Sequence, residues 1–183
     1  SFRMRRHYVA LYPLSEKVRK ENGTAYFFYR QGPDICMSTD SGLVVYNIRE
    51  KQTRLYYPAG QAGGITFRTI IPLNEQEILV RTFDKGLFIF NMASRAFTHR
   101  ISNTDSCADC LPQRVNYLFK SRKGVIYISS SSSHGKALMR FNTTTRQPER
   151  ISPENDEQYG LQHSDLFGMD EDKEGRLWIT STA

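Results

Sequence analysis

One arrangement of a tight turn followed by short strands recurs along this chain and limits the folds open to it. The clearest copy has an Asp-x-x-Gly turn at residues 172–175, which leads into an apolar segment holding the only tryptophan, Trp178. Turns at 121–124, at 73–76 and, more loosely, at 30–33 align with it. Self-similarity with a period of roughly 40 to 50 residues is typical of a repeat protein.

Each turn leads into the same ordered set of strand-like segments. The first segment is short and apolar, and in three copies the next one ends in an aromatic residue and an asparagine. A further short segment closes two copies clearly and a third weakly. Four short strands per unit predict an all-β fold, a β-propeller with four-stranded blades, because one small meander cannot bury both of its faces. A β-sandwich has no reason to repeat an ordered set of motifs.

The repeat divides the chain into approximate units at 1–60, 61–110, 111–158 and 159–183, of which the last is truncated. The pattern requires a further Gly-Leu strand at that point, so we expect a partial propeller of about four blades. We also expect the chain either to be part of a longer protein or to self-associate through its uncovered blade faces.

Blade packing predicts the surroundings of several apolar residues. The inner strands should be apolar on both faces, and simple alternation places Ile65, Phe67 and Ile71 on one side and Ile70 on the other. Trp178 occupies a strand position that is large and apolar in other copies. We therefore expect Trp178 to pack between blades and not to serve as a platform for a sugar.

The last copy resembles the two-component regulator propeller repeat. The matching residues are Gly160 and Leu161, Leu166, the turn at 172–175, and the strand Leu-Trp-Ile-Thr at 177–180. The glycine that the repeat has after the isoleucine is absent, and the earlier copies match less closely. In that family such repeats fill the periplasmic sensor region of hybrid two-component regulators, especially in gut Bacteroidetes.

The resemblance implies a function for the parent protein. The family has two propellers and a short β-sandwich before a membrane helix, then a histidine kinase, a receiver and often an AraC-type DNA-binding domain. It detects oligosaccharides and switches on glycan-utilisation genes by phosphorelay. For this chain the resemblance implies a periplasmic location in an inner-membrane protein, an oligosaccharide ligand, a homodimeric parent with kinase activity, and no catalysis by the segment itself.

The charge pattern limits the partners. The formal net charge is +6, yet the basic residues are scattered, and the only dense cluster is Arg3, Arg5 and Arg6. We therefore do not expect this segment to bind nucleic acid. Most of the basic residues are arginines, which form paired planar hydrogen bonds with carboxylate or sulfate groups. An acidic glycan is compatible with this composition.

Three cysteines are present. Cys107 and Cys110 lie in a polar loop, where an oxidising periplasm would favour a disulfide; two free thiols or a metal site are the alternatives. A second pair of ligands for a structural zinc is missing, so we predict neither a metal nor a cofactor. Cys36 lies on an apolar segment and should be a small buried hydrophobe.

Loops that enter the innermost strands of a propeller gather at one end of the central channel. Here these loops are at 61–64, 111–116 and 162–165. Their polar residues are candidates for hydrogen bonds to sugar hydroxyls, and two arginines could pair with an acidic substituent. The candidate ligand-binding residues are Arg68, Gln113, Arg114, Asn116, Gln162 and His163.

Three functions remain open from the sequence. The first is a ligand-sensing module, and the second is a protein-interaction propeller that acts as a WD40-like scaffold without a small ligand. The third is a catalytic propeller such as a glycan lyase. No Gly-x-Ser-x-Gly elbow or His-Glu-x-x-His helix is present, so catalysis has the least support.

Overall fold

The computed structural model describes residues 24–61, 64–101, 114–131, 138–151 and 165–182, and every regular element in these ranges is a β-strand. The strands form four antiparallel sheets. The first sheet contains β1 (Ala25–Gln31), β2 (Asp34–Thr39), β3 (Gly42–Asn47) and β4 (Gln52–Tyr56). The second contains β5 (Phe67–Pro72), β6 (Glu77–Thr82), β7 (Leu87–Asn91) and β8 (Ala96–Ile101).

The third sheet contains β9 (Arg114–Lys120), β10 (Ile126–Ser131), β11 (Leu138–Asn142) and β12 (Gln147–Arg150). The fourth contains β13 (Asp165–Glu171) and β14 (Leu177–Thr182). In every sheet each strand pairs with the next one along the chain, which is a simple meander. The prediction of an all-β chain made of repeated short strands is confirmed for the described residues.

The sheets pack against one another in chain order. One apolar cluster joins the first and second sheets, and its members include Cys36, Leu43, Phe67 and Phe90. A separate cluster joins the second and third sheets. The first strands of neighbouring sheets also contact each other, β1 with β5, β5 with β9, and β9 with β13. The second sheet therefore has a buried apolar face on each side, as the sequence predicted for inner strands.

Cys36 is the buried small hydrophobe that the sequence predicted. Its side chain is fully buried, and its thiol lies 3.5 Å from the Met92 sulfur. Burial raises the pKa of the Cys36 thiol to about 12. The thiol is therefore protonated near neutral pH and contributes as an apolar group.

The turn between the third and fourth strands has the same construction in three sheets. An asparagine at the end of the third strand accepts hydrogen bonds from two backbone N–H groups of the turn; these asparagines are Asn47, Asn91 and Asn142. Four positions later a basic residue has a left-handed backbone, with φ of 55°, 57° and 59° at Lys51, Arg95 and Arg146. The asparagine side chain holds the turn in a conformation that is otherwise unfavourable for non-glycine residues.

Two of these turns also join neighbouring sheets. Arg95 donates to Asp34 of the first sheet over 2.6 Å, and Arg146 donates to Glu77 of the second sheet over 3.1 Å. Asp34 and Glu77 are both the first residue of the second strand of their sheet. The same contact therefore fixes the second sheet on the first and the third sheet on the second.

A β-bulge occurs at the same place in all four sheets. In the first strand of each sheet, two residues lie opposite one residue of the second strand. In the second sheet the bulge lies between Phe67 and Ile70. It shifts the alternation by one residue, so Ile70 joins Ile65 and Phe67 in one cluster and Ile71 joins the other. The prediction that Phe67 and Ile71 share a face was wrong, because simple alternation does not allow for a bulge.

Each of the first three sheets donates a side-chain hydrogen bond to the bulge of the next sheet. The fourth residue of the apolar strand that follows the turn is polar in every copy. In three sheets its side chain donates a hydrogen bond to a backbone carbonyl in the first strand of the next sheet. Ser38 donates to the Arg68 carbonyl over 2.6 Å, Arg81 to Val115 over 2.8 Å and Ser129 to Phe167 over 3.4 Å. A bulge removes carbonyls from the ladder of their own sheet, and these side chains supply the missing donors.

We predict that Ser38→Ala destabilises the protein by roughly 1 to 3 kcal/mol, because it leaves the Arg68 carbonyl without a donor at a fully buried site. Urea unfolding measures the change. Thr144→Ala, which removes an exposed hydroxyl, is the control and should change the free energy of unfolding by less than about 0.5 kcal/mol. Equal stability of the two variants would show that the inter-sheet bond contributes nothing.

The Asp-x-x-Gly turn of the last copy is built around Asp172. One carboxylate oxygen accepts the backbone N–H groups of Glu174 and Arg176. The other accepts the indole N–H of Trp178 over 2.9 Å and the Arg176 guanidinium over 2.6 Å. The Trp178 bond, followed by the Arg176 bond, lowers the pKa of Asp172 to about 2. The motif therefore links its aspartate and its tryptophan directly.

Trp178 is 62% exposed in this structure. The sequence predicted that it packs between sheets, and the described residues do not cover it. Its counterparts Cys36 and Leu79 are both fully buried, because the first and second sheets each have a following sheet against them.

The depressed pKa of Asp172 predicts a pH dependence. Its contribution to stability is complete above its ordinary pKa of 3.8 and is lost as the pH falls toward about 2, where the carboxyl takes up a proton. Between these pH values, the melting temperature of the wild type should fall more steeply than that of Asp172→Asn. Glu50→Gln, which alters an exposed carboxylate, should follow the wild type. Parallel curves for wild type and Asp172→Asn would contradict the assignment.

Candidate ligand-binding site at the first-strand bulges

The recurring bulge places four residues at equivalent positions on the four first strands: Tyr26, Arg68, Asn116 and Phe167. All four are at least partly accessible, with Tyr26 36% and Phe167 43% exposed. Bulges commonly re-aim side chains next to functional sites. Arg68 and Asn116 were predicted from the sequence as ligand-binding residues, and the structure places both at this repeated position.

Arg68 is held between aromatic rings. The central carbon of its guanidinium lies 3.7 Å from the centroid of the Tyr26 ring and 5.5 Å from that of Phe83. Tyr26 comes from the first sheet, and Phe83 directly follows β6 in the second. The Nε atom of Arg68 is buried and has no hydrogen-bond partner. Cation–π contact of this kind stabilises a guanidinium while leaving its edge free to donate.

Asp40 orients the Tyr26 ring. The Tyr26 hydroxyl donates to one Asp40 oxygen over 2.5 Å, and the backbone N–H of Thr24 donates to the other over 3.1 Å. The Tyr26 bond is the main reason why the pKa of Asp40 is lowered. The same bond raises the pKa of Tyr26. Asp40 is therefore a carboxylate at neutral pH that fixes the ring against which Arg68 stacks.

Asn116 has a structural contact in this position. Its side-chain amide donates to the Leu166 carbonyl over 2.8 Å and so joins the third sheet to the fourth. Leu166 lies immediately before the bulge of β13. The amide group predicted to bind a sugar hydroxyl thus bonds the neighbouring first strand, in the same way that Ser38 and Ser129 bond theirs.

The remaining predicted residues lie at or beyond the limits of the described ranges. Arg114 is the first residue of β9, and its side chain is outside the description. Gln113, Gln162 and His163, together with the proposed disulfide partners Cys107 and Cys110, fall outside the described residues.

Two residues of the Arg68 cluster, Tyr26 and Phe83, were missed by the sequence analysis. Tyr26 occupies the position of Arg68 only when the bulged strands are aligned by their register, which the sequence does not show. Phe83 follows a strand as an exposed aromatic residue, 50% accessible, and has no periodic signal. Its contact with Arg68 depends on the path of the chain after β6.

Other concave surfaces lie away from the bulges. A cleft of about 240 Å³ lies beside the fourth strand of the second sheet and is lined by Phe88, Phe97, His99, Arg100 and the segment around Pro58. Fourth strands occupy the sheet edge opposite to the first strands. In the described ranges no group of three or more His, Cys, Asp and Glu side chains is placed to hold a metal ion.

No protein-family model matches this chain, and no curated protein matches it. Solved structures do. The extracellular domain of the hybrid two-component system BT3049 from B. thetaiotaomicron has a TM-score of 0.59 at 17% identity over 86% of this chain. Over the same share of the chain, the extracellular domain of the hybrid two-component system BT4673 from that organism gives 0.62 at 14% identity. A second BT4673 structure, there named a one-component system, gives 0.59 at 18% identity.

The chain shares the fold of these extracellular domains. It covers 19%, 22% and 20% of the three matched chains, so it spans about one fifth of their length. The resemblance to sensor regions of Bacteroides two-component systems, predicted from the last repeat, is confirmed at the level of the fold. No helix in the described ranges has the length and apolar character needed to span a membrane.

We predict that Tyr26→Phe raises the pKa of Asp40 toward its ordinary value of 3.8, because the hydroxyl that stabilises the carboxylate is removed. Asp40 would then take up its proton at higher pH than in the wild type. Titration of the Asp40 carboxyl carbon by NMR measures this shift. Tyr29→Phe, on the same strand, is the control and should leave the Asp40 titration unchanged. An unaltered titration in Tyr26→Phe would contradict the arrangement.

Proposed function

We propose that this chain is a ligand-sensing segment of the periplasmic sensor region of a hybrid two-component sensor kinase. The shared fold with the extracellular domains of two B. thetaiotaomicron systems supports this proposal, as does the resemblance of the last repeat to the two-component regulator propeller repeat. The segment itself carries no reaction in this proposal, and kinase activity belongs to the parent protein.

In this proposal the sheets are blades of a β-propeller. Meanders that pack face to face in chain order, with their first strands in contact, are what neighbouring blades require. The remaining blades come from the rest of the parent sensor chain. The bulge positions then line the channel side of the inner strands, where loops and side chains from several blades can meet around a single ligand.

The ligand that we propose is an oligosaccharide, and the arginine held between two rings is the observation that carries this assignment. Aromatic rings can stack on the apolar faces of sugars, and an arginine can bond their oxygens. The rings of Tyr26 and Phe83 are 36% and 50% exposed beside Arg68. Phe167 adds an exposed ring at the equivalent position of the fourth sheet.

Binding in this region would act on the packing between sheets. Arg68 contacts Tyr26 of the first sheet, and its own carbonyl is bonded by Ser38 of that sheet. A ligand that engages Arg68 therefore touches a side chain that already bridges two sheets. A difference in affinity between two arrangements of a homodimeric sensor would bias the kinase, and through phosphorelay the glycan-utilisation genes.

A protein-interaction scaffold without a small ligand is the alternative. The observation in its favour is the exposure of large apolar side chains on the outer sheets, with Phe28 70% and Trp178 62% exposed. Such surfaces commonly mark contacts with other proteins. In the sensor proposal the same surfaces are covered by further blades of the parent.

Calorimetric titration of the complete extracellular region of the parent against a panel of oligosaccharides tests the function. We expect saturable binding of at least one oligosaccharide, and we expect Phe83→Ala to weaken it about tenfold through the loss of a stacking face. Val125→Ala, which shortens another exposed apolar side chain in the turn after β9, is the matched control and should bind normally.

Two results would overturn the sensor proposal. No binding of any oligosaccharide in the panel, together with tight binding of a protein partner, would favour the scaffold. Release of shortened sugars in the same mixtures would show that the segment belongs to an enzyme. Binding that is equally weakened by Phe83→Ala and Val125→Ala would place the ligand elsewhere.

A further inference from the structure

We infer that Arg68 is the recognition site for an anionic substituent, a carboxylate or a sulfate, on the sugar ligand. This inference rests on the proposed function and narrows it to acidic oligosaccharides. It assigns the specificity to one side chain of the bulged first strands.

The guanidinium of Arg68 is held by contacts of its face with aromatic rings. Tyr26 covers the face at 3.7 Å, and Phe83 lies at 5.5 Å. Its backbone is fixed as well, since the Arg68 carbonyl accepts the Ser38 hydroxyl over 2.6 Å. A guanidinium that stacks on a ring donates in its own plane, where a carboxylate or sulfate can accept two parallel hydrogen bonds. The rings therefore pre-orient Arg68 for a bidentate anion.

The nearby carboxylate does not occupy this edge. Both oxygens of Asp40 already accept hydrogen bonds, one from the Tyr26 hydroxyl and the other from the Thr24 backbone. These bonds engage Asp40 with its own sheet rather than with the guanidinium of Arg68. Arg68 therefore lies near a carboxylate in a partly buried position, and its charge helps to lower the pKa of Asp40.

Other arginines at sheet junctions are paired. Arg95 is bonded to Asp34 and Arg146 to Glu77, while Arg81 donates to the Val115 carbonyl. In these places the neighbouring sheet supplies an acceptor to the guanidinium, although Nη1 of Arg95 is buried without a partner. At Arg68 the neighbouring sheet supplies the ring of Tyr26 instead, which lies against the guanidinium.

The Nε atom of Arg68 points to the same conclusion. It is buried and has no acceptor in the structure, although buried donors in proteins are nearly always paired. A carboxylate or sulfate that reached the edge formed by Nε and a terminal nitrogen, after movement of the groups that cover this atom, would supply that acceptor. A hydroxyl of a neutral sugar supplies a single uncharged acceptor, so it binds Arg68 more weakly.

NMR of the arginine Nε–Hε groups tests the inference on the protein directly. The Arg68 signal, assigned from its loss in Arg68→Lys, is followed during titration with glucuronate, with galactose 6-sulfate and with glucose. We expect a saturable shift with one or both anions and none with glucose. A response to glucuronate alone identifies a carboxylate site, and a response to the sugar sulfate alone identifies a sulfate site. No shift with either anion overturns the inference, as does an equal shift of the exposed Arg49.

Calorimetry with matched oligosaccharides separates this inference from the sensor function. We expect an acidic oligosaccharide to bind the wild type roughly 10- to 100-fold more tightly than its methyl-esterified or desulfated counterpart. Arg68→Gln should abolish this difference, and Arg68→Lys should reduce it by keeping the charge without the paired geometry. Arg49→Gln is the matched control and should retain it.

The outcomes distinguish the two proposals. Equal binding of the acidic and neutral counterparts keeps the sensor function and overturns the role of Arg68. A shift of the Arg68 signal by sugar anions, with no oligosaccharide bound at all, keeps the anion site and overturns the sensor function. Preference for the acidic form that survives in Arg68→Gln places the anion on another residue and also overturns the inference.

Discussion

The hydrogen bonds that each sheet donates to the bulge of the next first strand determine how the sheets of this protein fit together. A bulge frees carbonyl groups that the ladder of the same sheet no longer bonds. Buried carbonyls need donors, and here Ser38, Arg81 and Ser129 supply them from the preceding sheet. A local irregularity therefore becomes a contact between sheets. The bulge also turns Tyr26 and Arg68 toward each other, so the same feature fixes both the packing and the candidate site.

The strands and turns were predictable because their causes are local. Apolar segments with turn residues at fixed intervals are visible in the sequence, and the asparagine that ends a third strand also organises the next turn. The closing turn was predictable for the same reason, since Asp172 bonds groups only a few residues away. The boundaries of the repeat units and the closure into a propeller remain predictions.

The details of the site were not predictable, because they depend on contacts between distant residues. The bulge places Ile71 on the opposite face of the sheet from Phe67. Simple alternation along a strand does not predict a bulge. Arg68 was predicted as a candidate from its place in the repeat, but the rings that contact it belong to residues far away in the sequence. Asn116 was identified from its chemistry, and that chemistry is engaged by the Leu166 backbone. A polar residue in an alignment does not show whether its partner is a ligand or a neighbouring strand.

The division of the apolar residues into separate clusters has a mechanical consequence. The two larger clusters are each shared by one pair of adjoining sheets, so the loss of an outer sheet exposes one cluster and leaves the next intact. Unfolding should therefore proceed stepwise from the ends, as in other repeat arrays. A pull applied at one end of the array would be carried through these layers in series, and the weakest junction would open first.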